Sequence, residues 1–588
     1  MGFLYFDRNI PAEAHRIIGE LGPRGVAAFA FAPGGGWVIV TKDRAYYARG
    51  IADECFQQLG SFMRAGDELR VLAFTPSGGW VIVTDRHYYA RGIADECFRK
   101  LGDFFAAGAS ITCIAFPPQG GNSWVILAGH ALFARNIDDE CYQLLCNCLP
   151  STRPARKVAF TPGGGWAILA EDYYWARNIP GECFDQMGNF RQQGWLLDHL
   201  AFSAEGAWSL QTNTVAPARP ADPIRDMENH ITVENGAPQS IWQRMAKYRT
   251  PGASVAVVLE NRLAWACSYG HLERGKPECV HTDTVFQAAS ISKPVAAVGF
   301  LRLVQDGHLQ LSENLTPYLG WNLPLCSTAS AKWKSQMNLA LLLQHRGGVS
   351  GLGVPDASGA CSNFGGFAGY ANDASVAVPT LAQILAGAPP CNSPPIQISY
   401  QPGGGPYYSG AGYVLMMQML EHLTGHAFRP WMREHVLLPA GMTRSSFEMT
   451  LPPSMSRAAA GHDANGEVIA GRRNRYPEAA AAGLYTTAAD LCRFISLLNC
   501  RGTLDGREVL DQTRTAIMVN QATGIFTQNP FGADNFCYWH NGINYGFRAL
   551  IKGFPNRRAG VAVMTNGERG DRLHNEIVQA IETHYGWN

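Results

Sequence analysis

Apolar and polar positions along residues 1 to 212 cycle together with a period in the forties, and each cycle has two halves. The first half is an apolar strand, a Gly- or Ser-rich turn and a Trp opening a second apolar strand: AFAPGGGWVIV, AFTPSGGWVIV, AFPPQGGNSWVIL, AFTPGGGWAIL and AFSAEGAWSLQ. The tryptophans, Trp37, Trp80, Trp124, Trp166 and Trp208, are spaced by 43, 44, 42 and 42 residues. The second half, FDRNIPAEA, YARGIADEC twice, FARNIDDEC and WARNIPGEC, reads as a strand end running into a short amphipathic helix. Paired strands recurring at this period predict propeller blades or a solenoid. The phase of the repeat separates the two. The chain opens on a second half (Phe3 to His15) and reaches residue 212 on a first half (His199 to Gln211), so these segments complete each other, as in a closed five-bladed ring with a short helix per repeat. Arg8, Arg49, Arg91, Arg135 and Arg177 each precede Glu13, Glu54, Glu96, Glu140 and Glu182 by five residues. A pair present in every unit predicts a strand-to-helix staple, because a catalyst needs one site and not five. Cys55, Cys97, Cys141 and Cys183 are expected in the cores of the repeat helices.

The pattern changes after residue 212. Residues 213–223 have no periodicity and hold several prolines, which predicts a linker, and a second domain is expected over 224–588. SVAVVLENRLAWACSYGHLE alternates like two strands about a turn at Glu260 and Asn261. A helical pattern follows from about residue 286, and strands return at FRALIKGFP and AGVAVMTNG before a last helix, RLHNEIVQAIETHYG. A sheet built from both ends of this segment, with helices between, predicts an α/β sandwich. Residues 361 to 406 are rich in Gly and Pro and too long for a simple connection, so they are expected to shape a pocket, as a lid.

At 588 residues the chain exceeds what a single core serves, in keeping with this division. Lys plus Arg and Asp plus Glu both number 48, and only 16% of residues are charged, so no nucleic-acid partner is expected. No apolar run approaches eighteen residues and no signal-like leader is seen, so a cytoplasmic protein without a membrane partner is expected. The fifteen cysteines show no zinc spacing, and no metal or cofactor is expected. Cys361 and Cys391 could bridge, with free thiols the expectation in the absence of a secretion signal.

The chemistry centres on FQAASISKPVAAVGFLRLVQDGHL, residues 286 to 309, where Ser290 and Lys293 share one helix face. A Lys so placed can activate a Ser hydroxyl as a nucleophile, and Pro294 in the first turn puts Ser290 at the helix N-terminus, where developing negative charge is favoured. An SxxK alone arises by chance, so it needs partners. Two are present: QPGGGPYYSGAGY places Tyr408 just ahead of a helix, and CYWHNGINYGF places His540 and Gly542 at a strand edge.

With these three motifs in order, residues 224 to 588 resemble the serine β-lactamase-like hydrolases, which include class C β-lactamases, D-aminopeptidases and family VIII carboxylesterases. SISK resembles that family's SxxK, YSG its YxN, and HNG its KTG, HxG or WxG; LLLQHRGGVSG, PAGMTRSSF and YPEAAAAGLYTTAADL are similar as well. The resemblance implies that Ser290 is acylated, that Lys293 eases its deprotonation and that Tyr408 carries the proton to the leaving group. It implies further that the backbone amides of Ser290 and Ile543 form the oxyanion hole, and that His540 and Gly542 line the site. Gly410 stands where the family has its Asn, which removes the amide that would read an acylamide.

A carboxylesterase acting on small esters is therefore expected. Amide hydrolysis, as in a D-aminopeptidase or β-lactamase, is the alternative. A third reading is a non-catalytic binding protein whose repeat domain engages an unknown ligand or protein.

Overall fold

The computed structural model describes residues 4–21, 24–129, 131–148, 155–170, 174–193, 195–212, 224, 227–228, 231, 239–276, 278–326, 329–351, 366–529, 533 and 535–587. The chain divides into two compact units, Met1–Pro220 and Ala221–Asn588. The expected linker, residues 213–223, lies outside the described residues, as does Cys361. Cys391 carries a free thiol, so the bridge considered for it is not formed. Among the described residues no helix is long and apolar enough to cross a membrane.

Among the described residues the first unit holds five three-stranded antiparallel sheets, and in each the Trp is the first or second residue of the middle strand. All five tryptophans are buried, and each stands opposite the repeated Arg in the cross-strand register: Trp37 to Arg49, Trp80 to Arg91, Trp124 to Arg135, Trp166 to Arg177 and Trp208 to Arg8. The last of these pairs is made between distant segments. Leu4–Arg8 pairs antiparallel with Trp208–Thr212, so the earliest described strand completes the sheet begun by His199–Phe202. Glycine in the turn is required by a close approach. A Cβ on Gly79 would lie 2.1 Å from the Gly92 carbonyl oxygen, which no side chain allows. Cys55, Cys97, Cys141 and Cys183 are fully buried under the strands, as the helix pattern predicts.

The repeated Arg and Glu do form ion pairs, but not within one unit. Each Arg reaches the Glu of the preceding unit: Arg49 to Glu13 at 2.9 Å, Arg91 to Glu54 at 3.0 Å, Arg135 to Glu96 at 2.7 Å and Arg177 to Glu140 at 2.7 Å. Arg8, whose strand completes the fifth repeat, likewise bonds Glu182 of the fourth. The expected staple is thus corrected to a link between successive units. Each Arg ends its strand, and the carboxylate within ion-pair distance of it is the one on the preceding helix. These pairs are exposed and screened by solvent, so they set register more than they stabilise.

In the second unit a six-stranded antiparallel sheet runs in the order Arg262–Gly270, Gly252–Leu259, Ala559–Thr565, Phe547–Phe554, Cys537–Asn544, Phe526–Gln528. Side chains alternate across it, as the strand period demands. Val255, Val257, Val561 and Val563 face Leu573, Ile577 and Ile581 of the last helix, Gly570–Tyr585. Ala256, Val258, Ala562 and Met564 face the opposite way, into the larger core with Leu491, Phe494 and Ile495 of Ala488–Asn499 and Phe300 of Ser292–Gln305. The buried Arg244 bonds Glu576, tying the helix Ile241–Tyr248 to the last helix. The result is the expected α/β sandwich, with the helical middle on one face of the sheet.

Candidate active site

The strand Phe286–Ala289 feeds the helix Ser292–Gln305 through a tight reversal in which Ala289 adopts φ +52°. A non-glycine residue in the left-handed region is strained and is held there by its surroundings. Ser292 supplies the hold: its Oγ donates to the Ala289 carbonyl at 2.5 Å and accepts from the Leu484 amide at 2.9 Å. Ser290 is thereby presented at the turn just ahead of the helix. Lys293, on the first helical turn, is buried, and its Nζ donates to Ser290 Oγ at 3.0 Å and to the Ala481 carbonyl at 2.8 Å. Burial pushes this amine down to about 7, because no carboxylate compensates the ammonium.

Tyr408 closes the second side. It lines the same cavity as Ser290, and its ring lies 4.8 Å from Lys293 Nζ. Burial raises the phenol well above its ordinary value, the Ser290 side chain opposing this only in part. The next residue anchors it. Ser409 N–H donates to His345 Nδ1 at 3.0 Å, and Ser409 Oγ caps the helix Gly410–Thr424 by accepting from the Gly412 amide at 3.0 Å. Burial, then Lys293, pushes the His345 imidazole down to about 3, so it is a neutral acceptor.

The third side is the strand Cys537–Asn544. Its neighbour Phe526–Gln528 pairs only with Cys537, Tyr538 and Trp539, so from His540 onward this edge is left to face the Ser290 turn. Gly542 permits that approach, since a Cβ there would lie 2.1 Å from the Ala288 carbonyl oxygen. Ile543, 57% exposed, lines the cavity beside Ser290. His540 does not line it. The His540 ring is buried, stacked 4.9 Å from Phe526 and 6.3 Å from Tyr408, and its Nδ1–H donates to the Asn541 carbonyl at 2.7 Å. Burial and the nearby Lys293 push it down to about 3.

Ser290, Lys293, Tyr408, Gly410 and Ile543 thus converge on one cavity of about 750 Å³, while His540 and Gly542 stand behind its wall. Among the described residues five aromatic side chains face it: Phe367, Tyr408, Tyr476, Phe526 and Tyr545. Of the expected lid, Gly366, Phe367 and Ala368 reach the cavity, and residues 361–365 are outside the described set. A Cβ on Gly410 would meet the Phe367 ring at 3.1 Å, so the place of the missing Asn side chain is bordered by an aromatic one. Among the described lining residues Lys293 is the one cation, and Glu568 adds a carboxylate that accepts from Arg548 at 2.5 Å and from the Gly546 amide at 2.7 Å. Sequence reasoning missed Ala289, Ser292, His345, Phe367 and Glu568. Of these, Ala289 and Ser292 lay inside the quoted stretch FQAASISK and His345 inside LLLQHRGGVSG, whereas Phe367 and Glu568 belonged to no quoted motif.

Residues 239–583 match the family model described as Beta-lactamase. The chain belongs to the beta-lactamase family. It is a serine hydrolase of that family. Penicillin-binding protein 4 of Amycolatopsis lactamdurans is 26% identical over 347 residues, 55% of this chain and 82% of that protein. Esterase EstB of Burkholderia gladioli is 26% identical over 210 residues, 36% of this chain and 50% of the esterase. The crystal structure of the D-amino acid amidase from Ochrobactrum anthropi SV3, complexed with L-phenylalanine, aligns with a TM-score of 0.47 at 19% identity, covering 62% of this chain and all of the amidase (100%).

Proposed function

We propose that this beta-lactamase family member is a carboxylesterase that acts through an acyl-enzyme on small, uncharged esters. The observation that carries the reading is the 3.0 Å contact of Ser290 Oγ with a buried amine, beside a phenol that lines the same cavity. A neutral Lys293 accepts the Ser290 proton as the hydroxyl attacks the ester carbonyl carbon, and the tetrahedral oxyanion is received by the Ser290 and Ile543 amides. Tyr408, kept protonated by burial, gives its proton to the departing alkoxide and recovers one from Lys293. Water then attacks the acyl carbon, its proton passing to the Tyr408–Lys293 pair, and the acid leaves as Ser290 is reprotonated.

Three features support esters over β-lactams and amides. A β-lactam carboxylate needs a fixed cation, whereas His540 is neutral and the Glu568 carboxylate on the wall already engages Arg548. An acylamide needs a partner that Gly410 lacks, a loss of about 1–3 kcal/mol. The aromatic lining favours apolar acyl or alkoxy groups. The decisive comparison is kcat/KM for a short nitrophenyl ester against that for a chromogenic cephalosporin under one set of conditions. Equal or better cephalosporin turnover overturns the ester reading. Gly410→Asn alone is expected to lower ester turnover by crowding Phe367, and the pair Gly410→Asn with Phe367→Ala to raise amide turnover relative to ester. Failure of a fluorophosphonate probe to label Ser290 would favour the non-catalytic alternative.

We further propose that residues 1–212 form one closed five-bladed ring, joined by 213–223 to the hydrolase domain 224–588. Support comes from the cyclic order of the Arg–Glu pairs and from the pairing of Leu4–Arg8 with Trp208–Thr212.

A further inference from the structure

The five repeats agree at the positions that build them and diverge toward the start of the first strand. Aligned on the AF dipeptide that ends each first strand, the residue three before its Ala is Ala27, Arg70, Thr112, Arg156 or Asp198. One position later, the fourth and fifth repeats carry Lys157 and His199 where the others carry Ala28, Val71 and Cys113. The divergent polar residues share a single cavity of about 790 Å³ inside the first unit. Positions kept alike in every copy serve the fold. Positions that vary among the copies yet face one space are free to serve a ligand.

We propose that this cavity is a binding site for a small anion bearing a phosphate or carboxylate group. Five cationic side chains line it, Lys42, Arg44, Arg70, Arg156 and Lys157, against two carboxylates, Glu68 and Asp198. Asp198, buried, is engaged by Arg156 at 3.1 Å. Among the described residues Lys42, Arg44 and Arg70 form no ion pair with a carboxylate, and Asp198 acts on Lys157 without a direct ion pair. Two are instead held in place by neutral groups. Lys157 Nζ donates to the Thr112 carbonyl at 2.8 Å, and Arg70 donates to Ser110 Oγ at 2.6 Å. Converging cations in a half-buried space repel one another, and an anion removes that cost. A planar guanidinium fork suits the paired oxygens of phosphate and carboxylate alike. His199 beside them is neutral, pushed down to about 4 by burial and Lys157, and so can serve as a hydrogen-bonding group without adding charge. The volume is that of a small-molecule site rather than of a macromolecular surface.

The test is calorimetric titration of the full chain at low salt with three probes: inorganic phosphate, glycerol phosphate and succinate. At least one is expected to bind with a Kd below about 1 mM, phosphate-selective binding marking a phosphate ligand and succinate-selective binding a carboxylate one. Arg70→Gln and Lys157→Met are each expected to weaken that binding about tenfold or more, the loss usual for a charge-assisted hydrogen bond. Arg49→Ala, at the outer rim, is expected to leave it unchanged. Should Lys157→Met fail to fold, Arg70→Gln and the exposed Lys42→Ala carry the same comparison. Absence of binding by all three probes, or binding indifferent to Arg70→Gln and Lys42→Ala, overturns the proposal.

Discussion

In the first unit the Trp, the Arg and the Glu that build each sheet occur five times, whereas in the second Ser290, Lys293 and Tyr408 occur once and meet from two separate stretches of chain. Repetition spreads a structural task over many small, replaceable contacts. A single reaction centre concentrates its task in contacts that have no substitute. The two units therefore place opposite demands on mutation, and that contrast can be broken or sharpened by experiment.

The largest effects are expected at the single-copy residues. Ser290→Ala should abolish ester turnover, and Lys293→Ala and Tyr408→Phe should each cost about a hundredfold or more in kcat. Combined, the three should cost little more than the worst alone, because they act as a unit. Near-normal turnover in Tyr408→Phe would remove the phenol from the mechanism.

A smaller but more diagnostic effect is expected from pH. The working form of Lys293 is the neutral amine, and burial sets its titration at about 7, so kcat/KM should rise with pH through about 7 and fall about tenfold per unit below it. His345 and His540, both pushed down to about 3, stay neutral across that window. His540→Gln should therefore leave the acidic limb where it is, and a shift of that limb in the variant would reassign it from Lys293 to the histidine.

The smallest effect is expected in the repeats. Arg49→Ala breaks one of several equivalent exposed pairs and should change the melting temperature by no more than a degree or so and ester turnover not at all. Trp124→Ala, by contrast, empties a buried ring-sized space and should cost about 3–5 kcal/mol. A large loss in Arg49→Ala would show that the links between units are cooperative.

Much of this organisation was legible in the sequence. The repeats could be read because their chemistry is local: a Trp after a glycine turn and a Cys under a strand recur at fixed spacing. The sheet and the SxxK, YSG and HNG motifs could be read for the same reason. What could not be read depends on neighbours in space. Nothing in the spacing of Arg49 and Glu54 says that Arg49 will instead reach Glu13, because that choice is made by how one unit lies against the next. Likewise Phe367 beside Gly410 and Glu568 on the cavity wall come from segments far apart in the chain. The twist at Ala289 escapes pattern altogether, since alanine carries no mark of a left-handed backbone.

The pairing of Leu4–Arg8 with Trp208–Thr212 also sets an order of events during synthesis. Asp7 and its hydrogen-bond partner Ser209 are separated by 202 residues, and at about 5–20 residues per second the second strand follows the first out of the ribosome by roughly 10–40 s. Through that interval Leu4–Arg8 has no sheet partner, and Arg8 has no Glu182. The earliest part of the unit to be made is thus among the last to be secured, and a nascent chain stalled before residue 208 would carry an open strand edge that other chains could pair with.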